Sequence, residues 1–329
     1  MASIGLITSF ASSLVLILSV FLSVHFQLTE SQGTQPIVNG LSWNFYDSIC
    51  PNISDSAGLL RRHFHDCLSG CDGSLLLDAP PNLTLRQQTF RIIEDLRRRV
   101  HWDCDRVVSC ADITAIAARH FSGGQDYDLP LGSRDGLKFA TRNEALANLP
   151  PPSFNTSLIL ALLVTKNFTP DVVALSGGHI IGIGHCTSIM DRFYPNQDSF
   201  MNKTFSKNLK TTCTMSNSTN TTVLGIRSPN KFDNKYYVVL MNQQGLFTSD
   251  QDLYTDKRTR GIVTNFAFNE SLFLFEEFVN FIIKMGHLNV LTGTQGEIRA
   301  TCSVRNSAYH NFLVSFSVGE EKQRTWSEI

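Results

Sequence analysis

LLRRHFHDCLSGCDGS, Leu59 to Ser74, is the stretch on which the reading of this chain turns. Its sixteen residues hold two arginines, two histidines, two cysteines and two aspartates. His63, His65 and Cys67 are spaced two apart, which on a helix turns neighbouring side chains to different faces. Arg61 and His65 are four apart and share a face. A fixed cation beside a base makes a pair that can take a proton and stabilise the anion left behind. Taken alone, the fragment also admits a zinc site of His63, His65, Cys67 and Cys71, although His-x-His-x-Cys is not the usual zinc spacing. It equally admits a plain disulfide loop after a basic helix.

Around this stretch the chain runs to 329 residues, 42% hydrophobic and only 17% charged, enough for a large core in one domain or two sub-lobes. A net charge of −1 argues against nucleic-acid binding by electrostatics. No charged residue precedes His25, and Leu14 to Leu22 is almost purely apolar. With the polar stretch Thr29 to Gln35 behind it, this segment reads as a signal peptide over residues 1–31, so that no membrane segment remains in the mature form. Eight cysteines, an even number, suit an exported protein, but their count does not fix their pairing. Asn-x-Ser/Thr triplets at Asn52, Asn155, Asn167, Asn202, Asn217, Asn220 and Asn269 agree with a secreted glycoprotein. Asn82 fits the triplet too, but is expected inside.

Periodicity predicts helices over Leu85–Val100, with a solvated arginine face, and over Val107–Ala118. Gly123, Gly124, Pro130, Gly132 and Pro150 to Pro152 break the pattern into loops. Thr169-Pro170-Asp171 supplies a cap and first turn for the helix that delivers Gly177-Gly178-His179. Further helices are expected over Tyr236–Gln244, closed by Gly245, and over Phe273–Met285, ended by Gly286. Strand signals are few, and the order of elements gives a mainly helical enzyme.

Arg61-x-x-x-His65-Asp66-Cys67 followed by Gly70-Cys71-Asp72-Gly73-Ser74 resembles the distal haem segment of the secreted plant peroxidases (class III). LSGGHIIGIGHC, Leu175 to Cys186, resembles their proximal segment, and the resemblance runs from about Leu41 to Cys302. It implies a mainly α fold in which two helical lobes sandwich haem b, with residues 32–305 as the peroxidase domain and 306–329 as an extension. It implies the disulfides Cys50 with Cys104, Cys67 with Cys71, Cys110 with Cys302, and Cys186 with Cys213. His179 would ligate the iron, backed by Asp250 of TSDQDLY; His185 receives no role. His65 would be the general base for hydrogen peroxide, Arg61 the stabiliser of separating charge, and Phe64 would lie beside the haem. Asn82 of PPNLTLR would accept from the other nitrogen of His65, and the Pro150 carbonyl would touch aromatic donors. Asp66, Gly70, Asp72 and Ser74 match distal calcium ligands, and Ile180, Ser228 and Asp233 match proximal ones. The implied activity is hydrogen peroxide reduction with one-electron oxidation of small phenolic donors, by a secreted monomer of cell wall or vacuole. The alternative is a non-catalytic secreted scaffold of the same fold.

Departures from the family pattern point to weaker calcium binding and a weaker or less stable peroxidase. Only ten residues separate Cys50 from Arg61, so most of a helix is missing. The glutamate that precedes the distal asparagine in the family has no counterpart between Asp78 and Asn82. At the proximal calcium a threonine is replaced by Ile180 and an aspartate by Gly225. Ser133 stands where the family has the arginine that pairs with Asp112, an expected loss on the order of 3–5 kcal/mol for a buried carboxylate.

Overall fold

The computed structural model describes residues 53–77, 85–121, 127–138, 141–168, 172–214 and 219–307. The expected signal segment, Cys50, Asn52, Asn82, Gly123, Gly124, the expected Thr169-Pro170-Asp171 cap, Asn217 and residues 308–329 lie outside them. Among the described residues there are eleven α-helices and two three-residue strands, and no helix is long and apolar enough to cross a membrane.

Helix α1 (Ile53–Ser69) carries the opening stretch. It buries Leu59, Leu60, Cys67 and Leu68 and leaves Arg61 at the surface, so its basic run does not prevent it from docking. Gly70 and Cys71 take positive φ (146° and 46°) and return their amides to the Asp66 carbonyl, which closes the helix. Helices α2 (Gln87–Cys104) and α3 (Cys110–Phe121) pack against it. The latter begins later than expected because Ser109 caps it, its Oγ accepting the Asp112 amide (3.0 Å). Arg62 is the buried link between α1 and α2. It donates to Thr89 Oγ1 (2.8 Å) and to the Arg86 carbonyl (3.3 Å), and lies 3.4 Å over the Phe90 ring.

Helix α4 (Arg142–Asn148) starts with a Thr141–Glu144 capping box, and α5 (Thr156–Val164) is capped by Asn155. Helix α6 (Val172–Ser176) tightens into a 3₁₀ turn, Gly177–Ile180, which holds His179. Strand β1 (Ile183–His185) pairs antiparallel with β2 (Thr221–Val223), with α7 (Lys203–Thr212) between them in the chain. The chain then forms α8 (Lys235–Met241), α9 (Thr248–Thr255), α10 (Arg260–Phe268) and α11 (Phe278–Gly286).

Two expectations are corrected here. Helix α8 stops at Met241, not at Gly245, because Gln243 takes the left-handed φ (58°) that closes the turn. The last long helix is not α-helical throughout: Leu272–Glu277 is wound as a π-helix before α11. Gly177 is required by close packing of its backbone against two aromatic side chains. A Cβ there would lie 2.5 Å from the Phe273 ring and 2.6 Å from the Tyr237 hydroxyl. Those two residues sit in an aromatic core with Phe232, Phe266 and Phe278, with Tyr237 and Phe273 centroids 4.9 Å apart.

Cys67–Cys71, Cys110–Cys302 and Cys186–Cys213 are bonded, as the resemblance implied, while the fourth pair involves Cys50 outside the described residues. Near Cys302, Arg299 is fully buried and donates to the carbonyls of Gly73 (2.9 Å) and Cys302 (2.6 Å), tying the end of the domain to the loop after α1. Asp112 does not lack partners. Gly132 N (2.9 Å), Ser133 N (3.1 Å) and Ser133 Oγ (2.5 Å) all donate to it, so the residue that replaces the arginine satisfies the carboxylate. Burial still pushes the Asp112 carboxyl up, against these donors and with the Asp135 charge adding to it.

Candidate active site

The first half of the site is one face of α1. Arg61 Nε donates to His65 Nε2 at 3.1 Å, which requires a lone pair on Nε2 and the proton on Nδ1. That Nδ1 is buried and has no partner among the described residues; Asn82, its expected acceptor, lies outside them. Burial, reinforced by Arg61 and Arg62, holds the His65 imidazole down at about 3. The ring is therefore neutral and able to accept a proton at ordinary pH. Phe64 stands edge-on to it, centroids 6.1 Å apart. His63 is turned away into the core, with Nδ1 3.7 Å from Cys67 Sγ, and burial holds it at about 4. Because Cys67 and Cys71 are bonded to each other, the zinc reading of this stretch fails.

The second half is assembled from distant parts of the chain. His179 Nδ1 donates to Asp250 Oδ1 on α9 at 2.8 Å. The imidazole is 43% exposed while the carboxylate is 3% exposed, so the other edge of the ring is open. Asp250 Oδ1 also accepts the Tyr236 hydroxyl (2.9 Å), and Oδ2 accepts the Phe247 amide (3.0 Å). Burial pushes this carboxyl up, but His179 and the other donors outweigh it and hold the group below its ordinary value. The Phe247 ring packs edge-on to His179 at 5.6 Å.

Tyr236, Phe247 and Arg192 were not singled out in the sequence. Arg192 is buried, pairs with Asp198 (2.8 Å), and donates to the carbonyls of Gly245, Leu246 (3.0 Å) and Phe247 (3.2 Å). It clamps the loop from which α9 starts. Pro150 lies in the turn between α4 and α5, and His185 is exposed on β1.

The two expected calcium sites differ. Asp66 is buried and accepts the amides of Gly73 (2.9 Å) and Leu75 (3.3 Å), and Asp72 accepts that of Ser74 (3.0 Å). Burial, with the Asp72 charge adding to it, pushes Asp66 up to about 7. Two carboxylates that repel each other are oxygen donors of the kind a hard divalent cation takes, although no group of three or more His, Cys, Asp or Glu side chains that could hold a metal is found among the described residues. At the other site Asp233 is the only carboxylate of the expected set. Its Oδ1 is taken by Ser228 Oγ (2.8 Å) and Lys235 N (2.8 Å). A Cβ at Gly225 would overlap the Ile180 carbonyl oxygen, so no aspartate fits there as the chain now runs. This second set does not fit calcium.

Both imidazoles carry the proton on Nδ1, His65 because Arg61 donates to its Nε2 and His179 because Asp250 accepts from its Nδ1, and neutral imidazoles of this kind can accept a proton or ligate a metal. The family model described as Peroxidase matches residues 44–269. Peroxidase 12 of Arabidopsis thaliana is 54% identical over 303 residues, covering 83% of this chain and 84% of the relative. Cationic peroxidase SPC4 of Sorghum bicolor is 47% identical over 319 residues (87% and 88%), and Peroxidase 42 of Zea mays is 38% identical over 297 (82% and 91%). The chain belongs to the peroxidase family, and it is a haem-dependent peroxidase, an oxidoreductase that uses hydrogen peroxide. The first alignment spans 303 positions yet uses only 83% of 329 residues, so the relative carries blocks that this chain lacks.

Proposed function

We propose that His179 Nε2 is the iron ligand and that Arg61 and His65 handle the protons of hydrogen peroxide, with small phenols as electron donors. The observation that carries this reading is the 2.8 Å bond from His179 Nδ1 to buried Asp250, which fixes the tautomer and makes the open Nε2 electron-rich. Haem, when bound, supplies two oxidising equivalents taken from peroxide and spent one electron at a time. His65, neutral and with its Nε2 lone pair presented, accepts a proton from peroxide and returns it to the leaving oxygen as water forms. Arg61 now donates to that lone pair. Peroxide displaces the bond, and the guanidinium then faces the oxygen on which negative charge develops. The buried Nδ1–H of His65 needs an acceptor for this tautomer, the role proposed for Asn82. Phe64 flanks the ring, and Pro150 offers a carbonyl to the donor.

The Asp66, Gly70, Asp72 and Ser74 set holds one calcium ion, and the Ile180, Ser228 and Asp233 set holds none. Three buried disulfides and the apolar leader support passage through an oxidising compartment and secretion. The test is His179→Ala: the purified variant is expected to lose the haem absorption band or shift it grossly. An unchanged spectrum overturns the assignment.

A further inference from the structure

We propose that Tyr236 is a positioning residue that sets how strongly His179 donates to the haem iron, by sharing the carboxylate oxygen on which His179 relies. The inference rests on His179 being the ligand.

The Tyr236 hydroxyl is buried and donates to Asp250 Oδ1 at 2.9 Å. The His179 Nδ1–H reaches the same atom at 2.8 Å, and the Phe247 amide occupies Oδ2. Two donors therefore divide one oxygen. An acceptor polarises a ligating imidazole in proportion to the electron density it can offer the N–H proton. Each further donor draws on that density, and in a buried network the redistribution is not averaged out by water. The Tyr236 hydroxyl thus weakens the pull of Asp250 on the Nδ1 proton and keeps His179 a milder donor than a lone aspartate would make it.

The geometry separates this electronic effect from packing. The Tyr236 ring stands edge-on to the imidazole (6.3 Å, 79°), as the Phe247 ring does (5.6 Å, 76°). Tyr236→Phe keeps that ring contact and deletes only the hydroxyl. Tyr237 supplies the control. It is equally buried and next in sequence, but its hydroxyl donates to the carbonyls of Val173 (3.0 Å) and Ala174 (3.3 Å), bracing α6 without touching Asp250.

The experiment measures the ferric/ferrous midpoint potential and the iron–histidine stretching frequency of the haem-loaded protein. Tyr236→Phe is expected to move the potential to more negative values and the stretch to higher frequency, while Tyr237→Phe lowers thermal stability and moves neither. No shift in Tyr236→Phe, or an equal shift in both variants, overturns the proposal. If His179→Ala retains the wild-type iron–histidine band, the ligand assignment fails instead, and the two failures are distinguishable.

Discussion

The two histidines of the site are held in different ways. His65 takes its partner from the preceding turn of its own helix, Arg61 at 3.1 Å, and its second nitrogen finds none among the described residues. His179 depends on a carboxylate 71 residues away, whose two oxygens receive three donors. A pair four residues apart forms as soon as the helix does. A network drawn from α8, α9 and the turn after α6 forms only when those elements have packed. Damage to the first is expected to cost reaction rate with the fold intact, and damage to the second to cost ligation itself.

The largest effect that sharpens this contrast is expected from His65→Leu. The rate of reaction with peroxide should fall by about 10²–10⁴-fold, the usual contribution of a general acid–base group, with haem absorption retained. Stopped-flow kinetics checks the rate, and loss of haem from this variant would break the contrast. A smaller effect concerns His63, which shares α1 but faces the core. Its folded pKa, about 4, lies below the ordinary 6.5. The folded state therefore disfavours its proton, and stability is lost as pH falls from 6.5 through 4, by about 3 kcal/mol at roughly 1.4 kcal/mol per pH unit. His63→Phe should flatten that part of the urea-unfolding profile; a slope equal to wild type would show that the imidazole is not the cause. The smallest effect is that of calcium. One ion per chain is expected by metal analysis, and its removal should cost about 2–3 kcal/mol if it is normally present near a hundred times its dissociation constant. Two ions per chain would show that the second site is rescued by residues outside the expected set.

The distal pair could be read from the sequence because its parts lie within one turn of helix. The proximal pair could not be derived from spacing at all; only the likeness of LSGGHIIGIGHC and TSDQDLY to a family brought them together. Tyr236 carried no local signal, since an aromatic residue at the start of an apolar helix looks like core. Arg192 was equally silent, because it serves bare carbonyls 53 to 55 positions away and carbonyls have no sequence signature. Asp112 shows the opposite error. Losing an arginine suggested an orphaned carboxylate, but the incoming Ser133 donates through both its amide and its hydroxyl. Reading partners from residue types alone counts charges and overlooks hydrogen bonds, which are what a buried carboxylate needs first. The π-helical turn at Leu272–Glu277 was hidden for a similar reason: its apolar positions read as an ordinary helix, and the winding is decided by packing.

The bond between Cys110 and Cys302 spans 192 positions and turns most of the domain into a covalent ring. In chain-entropy terms, closing so long a loop is worth about 5 kcal/mol, drawn from the freedom of the unfolded chain. His179, Tyr236, Asp250 and Arg192 all lie within the ring, and Arg61 and His65 lie on the arm that precedes it. A single backbone cut anywhere in the ring leaves its two ends tethered through sulfur, so His179, Tyr236 and Asp250 stay on one connected molecule, whereas among the described disulfides only Cys67–Cys71 spans any of the arm that carries Arg61 and His65.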